Sequence, residues 1–384
     1  MNNYYSSDFK LGILGGGQLG RMLLTETQKF DIFTSILENA TDAPCAEIAN
    51  EFILGNIKDY DDVYQFGKTV DVLTIEIEHV NIDALLQLEK EGLQIYPQPK
   101  VLQIIQHKGL QKDFYKKHHI PTANYQRFES VKEIENTTLN YPFIWKTAQF
   151  GYDGTGVKKI NSKNDLVNLP DVACIVEELI PFKNELAVIV ARSKSGEVVT
   201  YPVVEMEFHP EANQVEYVLC PARISDEIAL KARKIALDVA NAFEHVGLLA
   251  VELFLTEDDK IIVNEVAPRP HNSGHFSIEG SFTNQFEQHL RAILDLPLGN
   301  TENKLASVMV NLVGAANHFG NVHYKNMDKI LKIKGVTPHI YGKKQTKPFR
   351  KMGHVTVVDT DIDKARETAE LVKGMITVVA VDIL

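Results

Sequence analysis

Along the first hundred positions, apolar residues fall in short runs separated by stretches of helical period. Phe9–Leu14 reads as a strand, 15–20 turns into a helix through about Lys29, and Ile32–Leu37, Phe52–Leu54, Val72–Glu76 and Leu93–Tyr96 read as further strands. Helical stretches fall near 59–67 and 81–91. The alternation predicts a parallel, doubly wound α/β sheet over 1–99. A helix is expected from about Lys100 to His118, after which the pattern changes. Runs rich in β-branched residues at Phe143–Thr147, Cys174–Glu177, Leu186–Arg192, Val198–Glu207 and Val215–Leu219 predict antiparallel sheet, hence an α+β region over 100–300. Ser225 is the expected N-cap of a long helix to about His245. The last segment, 301–384, reads as a small α/β piece: strand His354–Val358, helix Asp361–Lys373, strand Ile376–Val381.

A length of 384 residues suits two or three domains, each with its own core. A formal net charge of −11 argues against a nucleic-acid partner or a polybasic membrane contact. Three scattered cysteines, odd in number and without CxxC spacing, fit reduced packing residues of a cytoplasmic protein. No signal peptide is expected from the first eight residues, and no apolar stretch approaches the roughly 18 residues of a membrane span.

Chemistry enters at two apolar runs, 248–256 and 261–266, flanking Glu257-Asp258-Asp259-Lys260. They predict a β-hairpin that sets Glu252 directly across from Glu265. Opposed carboxylates repel unless a cation lies between them. Asn264 adds a carbonyl oxygen, and such donors suit Mg²⁺ carrying a nucleotide's phosphates. The chain then opens into Ala267-Pro268-Arg269-Pro270-His271-Asn272-Ser273-Gly274-His275, a polar cluster that no hydrophobic core requires. An edge hairpin with two solvated acids is the plain alternative, and the Asn-Glu doublet with its loop argues against it.

Two glycine loops follow strands. Gly15-Gly16-Gly17-Gln18-Leu19-Gly20 fits the fingerprint GxGxxG, with Glu38 about where an acidic ribose ligand is sought. Alone it reads as an NAD-dependent oxidoreductase, but any tight turn near a phosphate needs the same glycines, and no hydride-transfer site follows. The second, Phe150-Gly151-Tyr152-Asp153-Gly154-Thr155-Gly156-Val157, can fold over phosphates, with Lys146 as the nearby cation. Its spacing excludes a Walker loop, and a hairpin tip is the alternative. Val176-Glu177-Glu178-Leu179-Ile180 and then Glu185 offer carboxylate and backbone partners for an adenine and its ribose.

A lysine on a strand, a glycine loop, a Glu-rich strand pair and a Glu…Asn-Glu hairpin, in that order, resemble the ATP-grasp superfamily. Within it the chain resembles the 5-(carboxyamino)imidazole ribonucleotide synthetases. The shared segments are Gly15-Gly16-Gly17-Gln18-Leu19-Gly20-Arg21-Met22, Asp42-Ala43-Pro44-Cys45, Gly151-Tyr152-Asp153-Gly154, the loop 267–275 and Lys351-Met352-Gly353-His354. The resemblance implies an ATP-grasp fold, mixed α/β and α+β. It comprises a Rossmann-like pre-ATP-grasp domain over 1–99, an ATP-grasp domain over 100–300 with a lid at about 120–190, and a small C-terminal α/β domain over 301–384.

The resemblance also implies an activity: ATP-dependent carboxylation of 5-aminoimidazole ribonucleotide with bicarbonate, through carboxyphosphate, by a cytoplasmic homodimer in purine synthesis. Lys108, Lys146 and the loop Gly151, Tyr152, Asp153, Gly154, Thr155, Gly156 and Val157 would hold the ATP phosphates. Glu177, Glu178, Leu179, Ile180, Glu185 and His209 would contact adenine and ribose. Glu252 and Glu265 would bind Mg²⁺, with Asn264 beside them. Arg269, His271 and Asn272 would hold bicarbonate and carboxyphosphate, with Asp153 or His271 accepting the amine's proton. Gln18, Leu19, Glu76 and Tyr152 would face the ribonucleotide, and Lys343 and Arg350 would take its 5′-phosphate. Departures from the family pattern are Thr155 and His79, where a basic residue and Asn are usual, and Lys108 in place of Arg. A formate-using glycinamide ribonucleotide transformylase has a similar motif order, and a non-catalytic nucleotide sensor would keep the ATP contacts without turnover.

Overall fold

The computed structural model describes residue 4 and residues 6–149, 156–209 and 214–381. Five parallel strands form the N-terminal sheet, in the order Glu51–Leu54, Phe33–Glu38, Lys10–Leu14, Val72–Ile75, Gln94–Tyr96. The near-continuous apolar runs of its inner strands reflect burial on both faces. The strand order reverses beside Lys10–Leu14, so a crevice opens at the carboxyl ends of Phe33–Glu38, Lys10–Leu14 and Val72–Ile75. One face packs Leu19, Met22 and Leu23 of the helix Gln18–Lys29 against Phe286, Leu290 and Ile293 of the helix Gln285–Ile293. That packing holds the first glycine loop against the polar loop 267–275.

The single helix expected from Lys100 to His118 is two, Pro99–Ile105 and Lys108–Lys117. His107 leaves helical geometry between them and its ring Nδ1 accepts the Leu110 backbone N–H, capping the second helix. Apolar periodicity runs through both helices, so only the cap marks the break. The break puts Lys108 on a first helical turn, whose N–H donates to the Ala148 carbonyl at 2.8 Å, just past the strand Phe143–Thr147.

Four antiparallel strands, Tyr125–Phe128, Cys174–Glu178, Phe143–Thr147 and Val157–Ile160, cover a small core around Trp145. Two of them, Tyr-Gln-Arg-Phe and Val-Lys-Lys-Ile, carry too few apolar residues to read as strands. A larger antiparallel sheet runs Ile261–Ala267, Gly247–Thr256, Phe182–Arg192, Val204–Phe208, Val215–Cys220, Ala306–Val313, Lys351–Asp359, Val336–Ile340. The run Val198–Glu207 is two strands, broken at 201–203. The helix Asp226–Phe243, capped by Ser225, lays Ile228, Ala232, Ala236 and Val239 on this sheet. Val215–Cys220 pairs with Ala306–Val313, so the C-terminal strands continue the central sheet across position 301. No helix among the described residues is long and apolar enough to cross a membrane.

Candidate active site

The hairpin forms from Gly247–Thr256 and Ile261–Ala267. Near its turn Leu253 pairs with Val263, yet further along Val251 pairs with Val266. One residue has been gained, so Glu252 faces two residues, Asn264 and Glu265, across a bulge. This refines the expected one-to-one opposition. In an unbroken strand Asn264 and Glu265 would point to opposite faces; the bulge lets both line one cavity with Glu252.

That cavity, of about 500 Å³, lies between the two antiparallel sheets and the N-terminal crevice. Lys108 reaches Glu265 at 2.8 Å, and its charge, despite burial, holds Glu265 down at about 2. Burial, then the charges of Glu265 and Glu185, push Glu252 up to about 8. Burial and the Glu265 charge likewise raise Glu185 to about 7. The three carboxylates are therefore crowded beyond what Lys108 neutralises.

Lys146 donates to Asn264 Oδ1 at 3.2 Å and pairs with Glu177 at 2.9 Å. On its other side Glu177 meets Lys112 at 3.2 Å, and both side chains are almost fully buried. Glu177 lines the cavity, and its carboxylate lies between the two lysines, because a buried charge needs partners. Glu178, Leu179, Ile180, Glu185 and Val157 also line the cavity. Glu178 also accepts a hydrogen bond from Asn124 at 2.7 Å.

Arg269 forms a two-pronged pair with Glu78, through Nε and Nη2. Burial pushes Glu78 up, but the Arg269 charge and hydrogen bonds outweigh it and leave the carboxyl at about 2. His271 is held by burial, then by the Arg269 and Lys351 charges, down at about 3, so its ring is neutral. The Ser273 N–H donates to His271 Nδ1 at 3.3 Å, leaving the proton on Nε2, 3.5 Å from Glu252. The Ser273 hydroxyl lies 2.9 Å from the same Nδ1. The Asn272 amide exchanges two 2.9 Å hydrogen bonds with Asn311, so it ties the loop to the central sheet before it can serve a ligand.

Gln18, Leu19 and Glu76 also line the cavity. The first glycine loop, however, is not arranged for a dinucleotide. Gly16 N–H donates to Glu38 at 2.9 Å and Gly20 N–H to Glu76 at 2.8 Å, so carboxylates occupy amides that a pyrophosphate would need. A Cβ on Gly17 would lie 2.4 Å from Glu76 Oε1, and Gly15, at φ +99°, is equally crowded by Glu76. These glycines make room for an acid, and the NAD reading fails on that point.

Gly151, Tyr152, Asp153, Gly154 and Thr155 lie outside the described residues. Gly156, His209, Lys343 and Arg350 lie outside the cavity lining. His209 sits edge-on to Phe349, with ring centroids 6.0 Å apart. Lys343 donates to the Lys351 carbonyl at 2.7 Å and Arg350 to the Gln345 carbonyl at 2.6 Å; of this stretch, Lys351 is the residue that lines the cavity. Sequence reasoning missed Glu78, Lys112 and Lys351. Glu78 is two residues from Glu76, and Lys112 is one helical turn from Lys108, spacings that place each near its partner.

Three family models match in order along the chain: a ribonucleotide synthetase preATP-grasp domain over 9–106, an ATP-grasp domain over 113–286, and a phosphoribosylaminoimidazole carboxylase C-terminal domain over 307–368. The phosphoribosylaminoimidazole carboxylase of Candida glabrata is 35% identical over 96% of this chain. The chain spans 66% of that relative's length, about two thirds. The crystal structure of N5-carboxyaminoimidazole ribonucleotide synthetase from Thermotoga maritima is 40% identical, with a TM-score of 0.90 over 97% of this chain and 100% of that one. N5-carboxyaminoimidazole synthase of Aspergillus clavatus, solved with ADP and 5-aminoimidazole ribonucleotide, is 35% identical, with a TM-score of 0.86 over 96% of this chain and 98% of that one. With its fold, domain order and near full-length likeness in agreement, the chain belongs to the N5-carboxyaminoimidazole ribonucleotide synthetase family of ATP-grasp proteins.

Proposed function

We propose that the chain is an ATP-dependent carbon–nitrogen ligase of de novo purine synthesis. It joins bicarbonate to the exocyclic amine of 5-aminoimidazole ribonucleotide, giving 5-(carboxyamino)imidazole ribonucleotide, ADP and phosphate. The observation that carries this reading is a single cavity with two kinds of wall. Lysines and acids suited to a nucleotide line one part, and Gln18, Leu19 and Glu76 at the N-terminal crevice line the other. Both substrates can therefore meet without leaving it.

Bicarbonate is a poor electrophile, since oxide or hydroxide would have to leave. Transfer of the ATP γ-phosphoryl group makes carboxyphosphate, which the amine attacks, directly or as released CO₂, with phosphate leaving. Lys108 and Lys146 offset charge on the nucleotide's phosphates. Arg269, fixed by Glu78, presents positive charge where bicarbonate and then carboxyphosphate lie. We assign water exclusion to the loop 151–157 and the amine's proton to Asp153 or His271.

Glu252, Glu265 and the Asn264 oxygen fit Mg²⁺ that arrives with the nucleotide, because Mg²⁺ commonly takes one or two carboxylates plus phosphate oxygens and water. Among the described residues, no group of three His, Cys, Asp or Glu side chains is placed to hold a metal by itself. When bound, Mg²⁺ draws charge from the transferred phosphoryl group.

The test is ADP release by the purified protein with each substrate omitted in turn. Release that needs both bicarbonate and 5-aminoimidazole ribonucleotide supports the proposal. Release that needs formate and glycinamide ribonucleotide, or nucleotide binding without any turnover, overturns it. We further place the protein in the cytoplasm as a homodimer, which light scattering would check.

The basic stretch at 343–351 is assigned to the ribonucleotide's 5′-phosphate, with Lys343 and Arg350 on the rim and Lys351 reaching inward. Arg350→Ala should raise KM for the ribonucleotide by roughly tenfold or more, the usual size for a lost charged hydrogen bond. KM for ATP should stay within about twofold. An equal rise in both, or in neither, removes the stretch from the site.

A further inference from the structure

Lys112 lies on the buried face of the helix Lys108–Lys117, with only 2% of its side chain exposed, and it does not line the cavity. Its ammonium donates to Thr122 Oγ1 at 2.6 Å and pairs with Glu177 at 3.2 Å. Thr122 Oγ1 in turn donates to the Val263 carbonyl at 2.9 Å, next to Asn264 in the hairpin. Asn264 accepts from Lys146, and Lys146 pairs with the other oxygen of Glu177 at 2.9 Å. Lys112, Thr122, Val263–Asn264, Lys146 and Glu177 thus close a ring in which two ammonium groups share one carboxylate.

The charge count of this ring is what a simple lysine–glutamate pair would lack. With Glu177 and Lys146 alone, the carboxylate would neutralise the one cation that faces the cavity from this strand. A second buried cation behind Glu177 leaves the ring with a net positive charge, and Lys146 is its end at the cavity. Burying an ammonium group is unfavourable, and it brings Lys112 down to about 8 despite Glu177, so its place here calls for a role beyond packing.

We infer that Lys112 is a positioning residue for nucleotide binding: it draws on Glu177 from behind and so leaves the charge of Lys146 available to the nucleotide's phosphates. The inference rests on the nucleotide assignment above, and on no particular second substrate.

Binding is therefore measured directly, by calorimetry with MgADP and MgATP, on the full-length protein. Lys112→Met leaves Lys146 and Glu177 as a neutral pair and should weaken both nucleotides by roughly tenfold or more, as expected for the loss of one poorly screened charge. Turnover, where present, should show the loss in KM for ATP and not in KM for the second substrate. The double variant Lys112→Met, Glu177→Gln removes one charge of each sign relative to the native ring, and its amide oxygen can still accept from Lys146. It should bind nucleotide within about threefold of the native protein, a recovery that a purely structural role for Lys112 would not give. Should Lys112→Met fail to fold, Thr122→Val, which removes the anchor of Lys112 together with the Thr122–Val263 hydrogen bond, should weaken MgADP by a smaller factor. Native affinity in folded Lys112→Met, a double variant as weak as the single one, or unchanged binding in Thr122→Val where that variant stands in, would overturn the inference. Nucleotide binding without any ligation would instead count against the proposed reaction alone.

Discussion

Glu265→Gln should lower kcat by at least about a hundredfold, a loss of ~2.7 kcal/mol in transition-state stabilisation. The side chain keeps its shape and one oxygen, so the hairpin and its bulge should persist and Tm should move by only a few degrees. What disappears is a charge with two partners. Lys108 holds Glu265 ionised from one side, and Glu252 and Asn264 complete the oxygen set on the other. With glutamine present, Lys108 loses its counter-charge and the proposed cation loses a carboxylate at the point where phosphoryl charge develops. Glu252→Gln should be damaging for the second reason only. The two changes combined should be little worse than either alone, because groups that act as a unit do not add. Steady-state kinetics at saturating Mg²⁺ decide the matter: more than a tenth of native kcat in Glu265→Gln would end the metal assignment.

The same hairpin shows how far the sequence could be read. Two apolar runs and an acidic turn were enough to place Glu252 near Glu265, since strand pairing follows from alternation and turn length. The bulge shifts the buried alternation from Ile261 and Val263 to Val266, but in so short a strand the polar pair between them reads equally as its end. The parallel sheet was legible for a similar reason, since buried strands leave unbroken apolar runs. Tyr125–Phe128 and Val157–Ile160 were not, because strands at the edge of a small sheet keep most of their side chains in solvent.

Motif-based reading of the site found many of the residues that face the cavity, but not Glu78 or Lys351, nor those that stand behind them. Lys146, Glu185, Asn264 and Arg269 line it; Asn311, which bonds Asn272 from a distant strand, carries no spacing signal of its own. Glycine signatures misled where chemistry was not considered. Gly15 and Gly17 fit a phosphate loop on paper, yet the group pressing on them is the Glu76 carboxyl. The backbone amides of Gly17 and Gly20 fix Glu76 in place, although burial keeps its pKa above the ordinary range. A loop built to hold an acid at a crevice can present that acid to a second substrate, which a dinucleotide reading would never suggest.

Arg269→Ala should both abolish ligation and destabilise the fold by roughly 3–5 kcal/mol at neutral pH, since it strands one half of a buried ion pair. Both side chains of the Arg269–Glu78 pair are less than a fifth exposed, so solvent does little to replace the lost partner. The effect should carry a definite pH signature. In the native protein Glu78 sits at about 2, below its ordinary 4.5. Its contribution, about 3 kcal/mol, is therefore present in full above pH ~4.5 and lost as the pH falls toward ~2. Without Arg269 the largest remaining influence on Glu78 is burial, which raises the carboxyl, so the variant should recover stability as acid protonates it. The gap in Tm between native and Arg269→Ala should hence be widest near pH 7 and narrow below pH ~4.5; a gap independent of pH would show that Glu78 is not paired in solution. Stability and chemistry can then be separated. Arg269→Met combined with Glu78→Met removes both charges and fills the space with apolar side chains, which should return most of the lost stability. It should return none of the activity, because the cation facing carboxyphosphate is still missing. Measurable ligation by that double variant would place carboxyphosphate somewhere other than Arg269.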